Sequence, residues 1–221
     1  MRIANRLVPP LLIVAALMYA RAPFMIQAAP IESTMGVVQK IFYYHVPAAM
    51  LTFVAAFVCG LASAVYLFRR SRFADQVAVA AAELAVVFGL IVLVTGPLWA
   101  RKAWGVWWVW DPRLTMTLVM WMVFVAYLLL RRFGGPGSEM LAAAVGVFGT
   151  ALVPFVYVST IYWRTNHPPP TVVRTLPPEM AAPFAWSIFT FLFFFIALLI
   201  VRIRLESSRV ALEEAYVALE D

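Results

Sequence analysis

The sequence is poor in charged residues, in cysteine and in histidine. Of its 221 residues, 13% are charged and 64% are hydrophobic, with one Cys and two His. A soluble domain is about a quarter charged and about half apolar, so this apolar surplus has no soluble core to enter. The single Cys excludes an intrachain disulfide and a Cys-x-x-Cys-His signature, and Cys59, in an apolar stretch, is expected to be a packing residue. The composition predicts a membrane protein.

Six apolar stretches are long enough to cross a bilayer. A hydrocarbon core about 30 Å thick requires roughly 20 apolar residues in a helix, and backbone groups in lipid must be paired within the helix. The sequence therefore predicts an all-α polytopic membrane protein, with residues 1–221 forming a single membrane domain. The predicted transmembrane helices lie near Leu7–Met25, Val46–Phe68, Val77–Leu98, Leu114–Leu130, Met140–Tyr162 and Pro183–Val201.

The first of these stretches is the weakest, because Pro9, Pro10 and Arg21 interrupt it. A basic start, an apolar run and the small residues Ala28–Ala29 also fit a cleaved signal peptide. The length of the apolar run and the membrane-bound remainder favour a retained helix.

The basic residues orient the helices. Ten of the 17 Lys and Arg fall on the side of the two termini, in tight clusters such as Arg69–Arg72, and seven fall on the other side. Since Lys and Arg mark the cytoplasmic side, both termini are predicted to be cytoplasmic. Short basic clusters between apolar runs are typical of membrane anchoring and not of nucleic-acid binding. Three segments then share the outer face: Arg21–Tyr44 with His45 at its edge, Trp99–Arg113 and Arg164–Ala182.

One predicted outer loop, residues 99–113, contains five of the eight Trp. They are Trp99, Trp104, Trp107, Trp108 and Trp110. The spacing of Trp104, Trp107 and Trp108 is that of one helical face, with Gly105 leaving room for close approach. The alternative, an interfacial aromatic belt, distributes its aromatics over many helix ends on both sides of a membrane. We therefore expect this loop to form a platform for a large, flat, apolar ligand.

The only two histidines, His45 and His167, are predicted at outer helix ends, on the same side as the Trp loop. Pro47 suits the first turn of the second helix, and Pro168–Pro170 hold the chain after His167 extended. A lone interfacial His is usually an amphipathic filler. Two neutral imidazoles across a planar apolar pocket instead favour a bis-histidine site for haem iron. A zinc site would require further protein ligands, and the sequence shows no obvious third.

A haem also carries two carboxylates, which outer basic side chains could bind. Arg113 is the best candidate; for each cation the alternative is ordinary snorkelling at the interface. Asp111 could accept a hydrogen bond from an indole or an Arg side chain and so brace the loop, or it could cap the helix that begins near Leu114. The further candidates are Arg101, Lys102, Arg164 and Arg174.

One carboxylate, Glu83, falls inside the third apolar stretch. A charge at the bilayer centre costs about 2.5–3.5 kcal/mol on insertion scales, so this side chain is expected to face protein or to be protonated. A snorkelling carboxylate fits its position equally well, and the sequence assigns it no role.

The Trp loop resembles the tryptophan-rich WWD signature of the haem-handling proteins of cytochrome c maturation. Among these the length and the six helices are most similar to the haem exporter protein C (CcmC) family, whereas the larger relatives CcmF and CcsA carry more helices and more histidines. At Tyr162 and Asn166 the chain departs from the family pattern. The runs that carry the resemblance are Phe42–Ala49, Thr95–Lys102, Trp104–Thr115 and Tyr162–Pro168.

The resemblance implies a site, a cargo and partners. His45 and His167 match the family's haem-liganding histidines, the Trp loop matches its haem platform, and Arg113 matches the arginine after its Asp. The family hands haem b to the periplasmic haem chaperone CcmE at the inner membrane, alongside the ABC transporter subunits CcmA and CcmB and the small subunit CcmD. The chain is therefore expected to deliver haem and not to be an enzyme.

Two other functions stay open. A b-type electron-transfer subunit would hold stacked haems by His pairs within helices, and this sequence has two His, neither of them mid-membrane. A haem transporter would be supported by helices broken near the middle of the membrane, for which Pro154 is a candidate kink.

Overall fold

Six long α-helices form most of the computed structural model, which describes residues 2–220. Each contains a stretch long and apolar enough to cross a membrane, which confirms the all-α class and the six predicted spans. Two short 3-10 helices, Val37–Ile41 and Pro170–Thr175, precede the second and sixth long helices. The long helices are α1 (Arg2–Ala28), α2 (Phe42–Arg69), α3 (Arg72–Ala103), α4 (Pro112–Phe133), α5 (Ser138–Tyr162) and α6 (Pro178–Glu220).

Local signals explain where several helices begin and end. The Ser71 hydroxyl accepts the N–H of Ala74 and so caps the start of α3. Pro112 opens α4, where a missing N–H costs nothing because the first four amides of a helix have no helical partner. At the end of α2, Arg70 adopts a left-handed conformation with φ 53°, which stops the helix.

All six helices extend beyond their predicted apolar stretches, because charged and aromatic residues continue a helix after the hydrophobic run has ended. As a result, Trp99, Arg101 and Lys102, which were predicted to lie in a connecting segment, lie within α3. The outer loop predicted for residues 99–113 is therefore shorter and begins at Trp104. Helix α6 has 43 residues, a length of about 65 Å at 1.5 Å per residue, so it extends well past one bilayer core.

The beginning of α2 also differs from the prediction. Since the 3-10 helix already gives the chain a helical course, α2 begins at Phe42. The expectation that Pro47 occupies the first turn is therefore wrong: it is the sixth helical residue, and its missing N–H leaves the Tyr43 carbonyl without its usual helical donor. His45 lies in the first turn.

The helices pack as a bundle of α2, α3, α4 and α5, with α6 against α2 and α3, and with α1 along α6. Close approach of α2 and α5 requires a glycine, because an added Cβ at Gly60 would lie 2.5 Å from Thr150 Cβ. Cys59 beside it is fully buried, as expected of a packing residue. Each span in residues 2–220 is one continuous helix, and Pro154 lies inside α5 without breaking it, so the broken helices that would favour a transporter are not found there.

Away from the histidines, two ion pairs with mostly buried side chains join helices, and a third, Arg72–Glu214, is exposed. Arg202 of α6 donates two hydrogen bonds to the Glu83 carboxylate of α3, so Glu83 faces protein, one of the outcomes expected from its cost in lipid. Arg131 of α4 lies 2.7 Å from the Asp75 carboxylate of α3. We call this part of the bundle the ion-pair end, and the part that carries His45, His167 and the Trp loop the histidine end.

Candidate functional site

His45 is held from the neighbouring helix α3. Its Nδ1 lies 2.8 Å from the Thr95 hydroxyl oxygen, and that hydroxyl donates to the Ile91 carbonyl over 2.6 Å. A hydroxyl can donate only one hydrogen bond, and that of Thr95 goes to the Ile91 carbonyl. Thr95 therefore accepts a hydrogen bond from His45, so Nδ1 of His45 carries the hydrogen. The lone pair of the imidazole is therefore on Nε2.

His167 lies in an irregular segment, residues 163–169, between α5 and the second 3-10 helix. Its Nδ1 lies 2.8 Å from the Pro168 carbonyl oxygen. A carbonyl can only accept, so Nδ1 again carries the hydrogen and Nε2 keeps its lone pair. Burial and the nearby charge of Arg113 lower the pKa of His167 to about 4, so the ring is neutral at pH 7. This is the form of imidazole that ligates a metal.

Arg113, the second residue of α4, lies close to both histidines. Its guanidinium donates to the Val156 carbonyl of α5 and lies 5.8 Å from the centre of the Phe53 ring. Its charge acts on both His45 and His167, and a charge on His167 would act on His45. Side chains from three distant parts of the sequence therefore converge at one end of the bundle.

Asp111 caps α4, as expected, but it braces the segment before His167 through Thr165 and Asn166 and not through the expected indole or Arg. One carboxylate oxygen accepts the Leu114 N–H over 2.9 Å and caps α4. The other accepts from the Thr165 hydroxyl and from the Asn166 N–H. Because the Thr165 hydroxyl oxygen accepts the His167 N–H over 3.1 Å, the brace reaches the second histidine.

The Trp loop is not helical after Ala103, so the predicted common helical face of Trp104, Trp107 and Trp108 is wrong. Gly105 has φ +77°, a left-handed conformation that terminates α3 and turns the chain. An added Cβ at Gly105 would meet no atom of the protein within 4 Å, so the described chain does not pack closely on this residue. Glycine is required at this position for its backbone conformation.

Four of the five indoles form two edge-to-face pairs, and the fifth lies near an Arg guanidinium. Trp99 and Trp104 meet edge to face with ring centres 5.3 Å apart, and Trp108 and Trp110 do so at 5.8 Å. The fifth, Trp107, lies 6.0 Å from the Arg101 guanidinium, which also donates to the Gly105 carbonyl. Trp107 and Trp110 are 56% and 76% exposed, so part of the aromatic surface faces outward.

The remaining polar groups fit a ligand that carries carboxylates. The indole N–H of Trp108 is buried and has no hydrogen-bond partner among residues 2–220. Such a donor is costly to leave unpaired, and a carboxylate would satisfy it. Four of the predicted cations at this end are exposed: Arg101, Lys102, Arg164 and Arg174.

The extended conformation predicted for the proline run is found at Pro169, with φ −68° and ψ 157°. It ends at Pro170, which begins a 3-10 helix, because proline's fixed φ also suits a first helical residue. Asn166 contacts Asp111 through its backbone N–H only, and Tyr162 is 77% exposed.

Sequence reasoning missed Thr95 and Thr165. The signal for Thr95 was a hydroxyl in an otherwise apolar helix, one residue before a Gly-Pro pair. No local signal marks Thr165, whose partner Asp111 is 54 residues away. In the described part of the chain, no group of three or more His, Cys, Asp or Glu side chains is placed to hold a metal ion.

The sequence as a whole is similar to one group of known proteins. A family model described as "Heme exporter protein C" matches residues 1–218. Proteins of that name include one from Escherichia coli (strain K12), 33% identical over 183 residues, 80% of this chain and 73% of the relative. One from Bradyrhizobium diazoefficiens is 31% identical over 92% of this chain and 80% of its own length, and one from Rhodobacter capsulatus is 30% identical over 93% and 88%. Matching the family model over nearly its whole length, the chain belongs to the haem exporter protein C (CcmC) family.

Proposed function

We propose that this protein binds haem b as cargo between His45 and His167 and presents it to the periplasmic haem chaperone CcmE during cytochrome c maturation. Family membership supports haem as the cargo. The observation that carries the proposal is that both imidazoles leave Nε2 free at one end of the bundle. Two such nitrogens are what six-coordinate haem iron requires.

The surroundings of the histidines also suit a porphyrin. The Trp loop offers a broad apolar surface, and the unpaired Trp108 N–H and the exposed cations Lys102, Arg164 and Arg174 suit two propionates. Arg113 donates to Val156 inside the bundle, so we assign it first to holding α4 against α5 beside the histidines. Its remaining donors reach a propionate only if that group enters between the helices.

We place the protein in the bacterial inner membrane, with both termini cytoplasmic and the histidine end periplasmic. An even number of candidate spans supports this placement, because six crossings would return the chain to the side on which it began. The basic cluster Arg69–Arg72 connects α2 to α3 on that side, as the distribution of Lys and Arg favours.

We further propose that the chain works in a complex with the ABC transporter subunits CcmA and CcmB and the small subunit CcmD. In that complex it acts as a haem-delivery protein and not as an enzyme. Handover limits how tightly the site binds, since each 1.4 kcal/mol of affinity makes release about tenfold less favourable.

The test is the absorption spectrum of the purified protein. Wild type is expected to show six-coordinate low-spin haem, and the double variant His45→Ala/His167→Ala to lose that spectrum. Incubation of the haem-loaded protein with the purified chaperone is expected to yield covalent haem on the chaperone. An unchanged six-coordinate spectrum in the double variant would exclude these two residues as the ligands.

A further inference from the structure

We propose that the two histidines act unequally in handover: His45, positioned by Thr95, retains the iron, and His167 is the ligand that an acceptor's group replaces. This inference rests on the proposed function, because it assumes that both histidines bind the iron.

His45 is part of the rigid frame. It lies in the first turn of α2, and on either side of it the side chains of Tyr43 and Ala48 are fully buried. Tyr43 packs in a cluster with Ala22 of α1 and Phe184 of α6, which fixes the start of α2 against two other helices. The backbone that carries His45 is therefore held in place by packing against two other helices.

Thr95 fixes the orientation of the His45 ring from a second helix. Its hydroxyl is bound to the Ile91 carbonyl, so it has no freedom to rotate away from His45 Nδ1. An added Cβ at Gly96, the next residue of α3, would lie 3.4 Å from His45 Cε1, so the ring also lies against the α3 backbone. One acceptor and one packed surface hold Nε2 in a single direction.

His167, by contrast, belongs to a segment outside any helix. Nearby, Tyr162 and Trp163 are 77% and 45% exposed, and Asn166 is exposed as well. Apart from the Trp163 N–H bond to the Ser159 carbonyl at the end of α5, the hydrogen bonds that hold residues 163–168 to the rest of the protein go to one carboxylate, that of Asp111. His167 itself bonds to its neighbours Thr165 and Pro168. Such a segment moves without disturbing the packing of α2 to α5.

The proposed exchange is a ligand substitution. The bond from the iron to His167 Nε2 breaks while a nitrogen or oxygen donor of the acceptor forms a bond to the same iron. The leaving imidazole keeps its electron pair and remains neutral, and the iron keeps its oxidation state, so no electron donor or acceptor is needed. Trp110, 76% exposed, is adjacent in sequence to Asp111, which binds the segment before His167, so an aromatic surface is open to an acceptor there.

The first experiment compares the full-length, haem-loaded variants His45→Ala and His167→Ala in detergent, with excess apomyoglobin as the haem-accepting probe. His167→Ala is expected to keep five-coordinate haem, to recover a six-coordinate spectrum with added imidazole, and to release haem at least about tenfold more slowly than His45→Ala. A tenfold ratio corresponds to about 1.4 kcal/mol. Equal release rates, or faster release from His167→Ala, would overturn the inequality.

The second experiment tests Thr95 as a positioning residue. Thr95→Val keeps the shape of the side chain but removes the acceptor, and is expected to speed haem release severalfold and to shift the reduction potential of the bound haem. Thr95→Ser keeps the hydroxyl and is expected to restore wild-type behaviour. If Thr95→Val matches wild type in both release rate and potential, the role of Thr95 is refuted.

A matched change on the other ligand is Thr165→Val, which removes the hydroxyl that joins His167 to Asp111. It is expected to let added imidazole replace His167 at a severalfold lower concentration while haem release stays near wild type. An increase in haem release as large as that of His45→Ala would contradict the proposal. The proposed function fails separately, if wild type lacks six-coordinate haem or the double His variant keeps it.

Discussion

The two ends of the same helix bundle are built differently. At the ion-pair end, the pairs Glu83–Arg202 and Asp75–Arg131 join side chains on regular helices. At the histidine end, His45 lies in the first turn of a helix, and His167 and much of the Trp loop lie outside helices. Irregular backbone in lipid would leave N–H and C=O groups unpaired, so a site built from loops has to lie where the helices end.

The two ends are also far enough apart to be perturbed separately. Glu83 and Thr95 lie on the same helix, about 18 Å apart at 1.5 Å per residue. Changes more than about 7–10 Å apart with no shared partner usually have additive effects. Substitutions at one end should therefore leave the other unchanged, unless they act on the frame that both ends share.

The largest loss of stability is expected from a change in the packing of α2 against α5, which both ends share. Gly60→Leu would push a branched side chain into Thr150 of α5, whose hydroxyl is already bonded to the Ala56 and Gly146 carbonyls. We expect destabilisation on the order of 3 kcal/mol, the upper range for overpacking, with the haem spectrum lost together with the fold. Thermal aggregation measured by size exclusion would show it.

A matched control is Leu61→Ala at the next residue, which is 67% exposed. Surface substitutions are usually within about 0.5 kcal/mol of neutral, so this variant should aggregate at the wild-type temperature. A Gly60→Leu protein with wild-type thermal stability would show that α2 and α5 do not need their close approach.

A smaller effect is expected from the ion-pair end. Glu83→Leu leaves Arg202 without its carboxylate; since the two side chains are 33% and 29% exposed, we expect a loss of about 1–3 kcal/mol, below the 3–5 kcal/mol typical of fully buried pairs. The double variant Glu83→Leu/Arg202→Leu removes both charges and should recover most of the loss. The haem spectrum should stay unchanged in both, and a spectral shift would show that the ends are coupled.

The smallest effect on stability is expected from Asp111→Asn, which tests the histidine end alone. Asn is as good a helix cap as Asp, so thermal stability should stay within about 0.5 kcal/mol of wild type. Its single amide oxygen cannot both cap Leu114 and accept from Thr165 and Asn166 as the carboxylate does. Added imidazole should then compete more easily for the haem iron, as measured by absorption titration.

Asp111→Ala is the companion variant, since it loses the cap as well and should cost about 1 kcal/mol in stability. If Asp111→Asn lost as much stability as Asp111→Ala while its imidazole titration stayed unchanged, Asp111 would be a cap without a bracing role.

The fold was largely predictable because each element depends on local composition. Six spans follow from runs of about 20 apolar residues, and Ser71 and Asp111 with Pro112 are recognisable helix starts. The ends were misplaced where a helix continues through charged or aromatic residues, as at Trp99 and Lys102. Hydropathy indicates where the apolar part of a helix ends. The helix itself continues until the backbone leaves the helical conformation, as it does at Gly105.

The candidate site was predictable by residue type and not by geometry. Crowded indoles and two histidines on one predicted face were enough to suggest a haem site. The relative placement of the indoles was not predictable, because a positive φ at Gly105 separates Trp104 from Trp107 and Trp108. The hydrogen bond from Thr165 to Asp111 was not predictable either, because it forms only where the start of α4 meets the chain that follows α5.

The sequence alone determines that the protein lies in a membrane, how many spans it has and which few residues could bind a metal. These properties depend on composition and on the length of each apolar run. Tertiary structure decided which nitrogen of His45 carries the hydrogen and which carbonyl Arg113 binds. It also gave Glu83 its partner, Arg202. Each of these depends on helices distant in the chain being brought within about 3 Å of one another, a distance that no local pattern encodes.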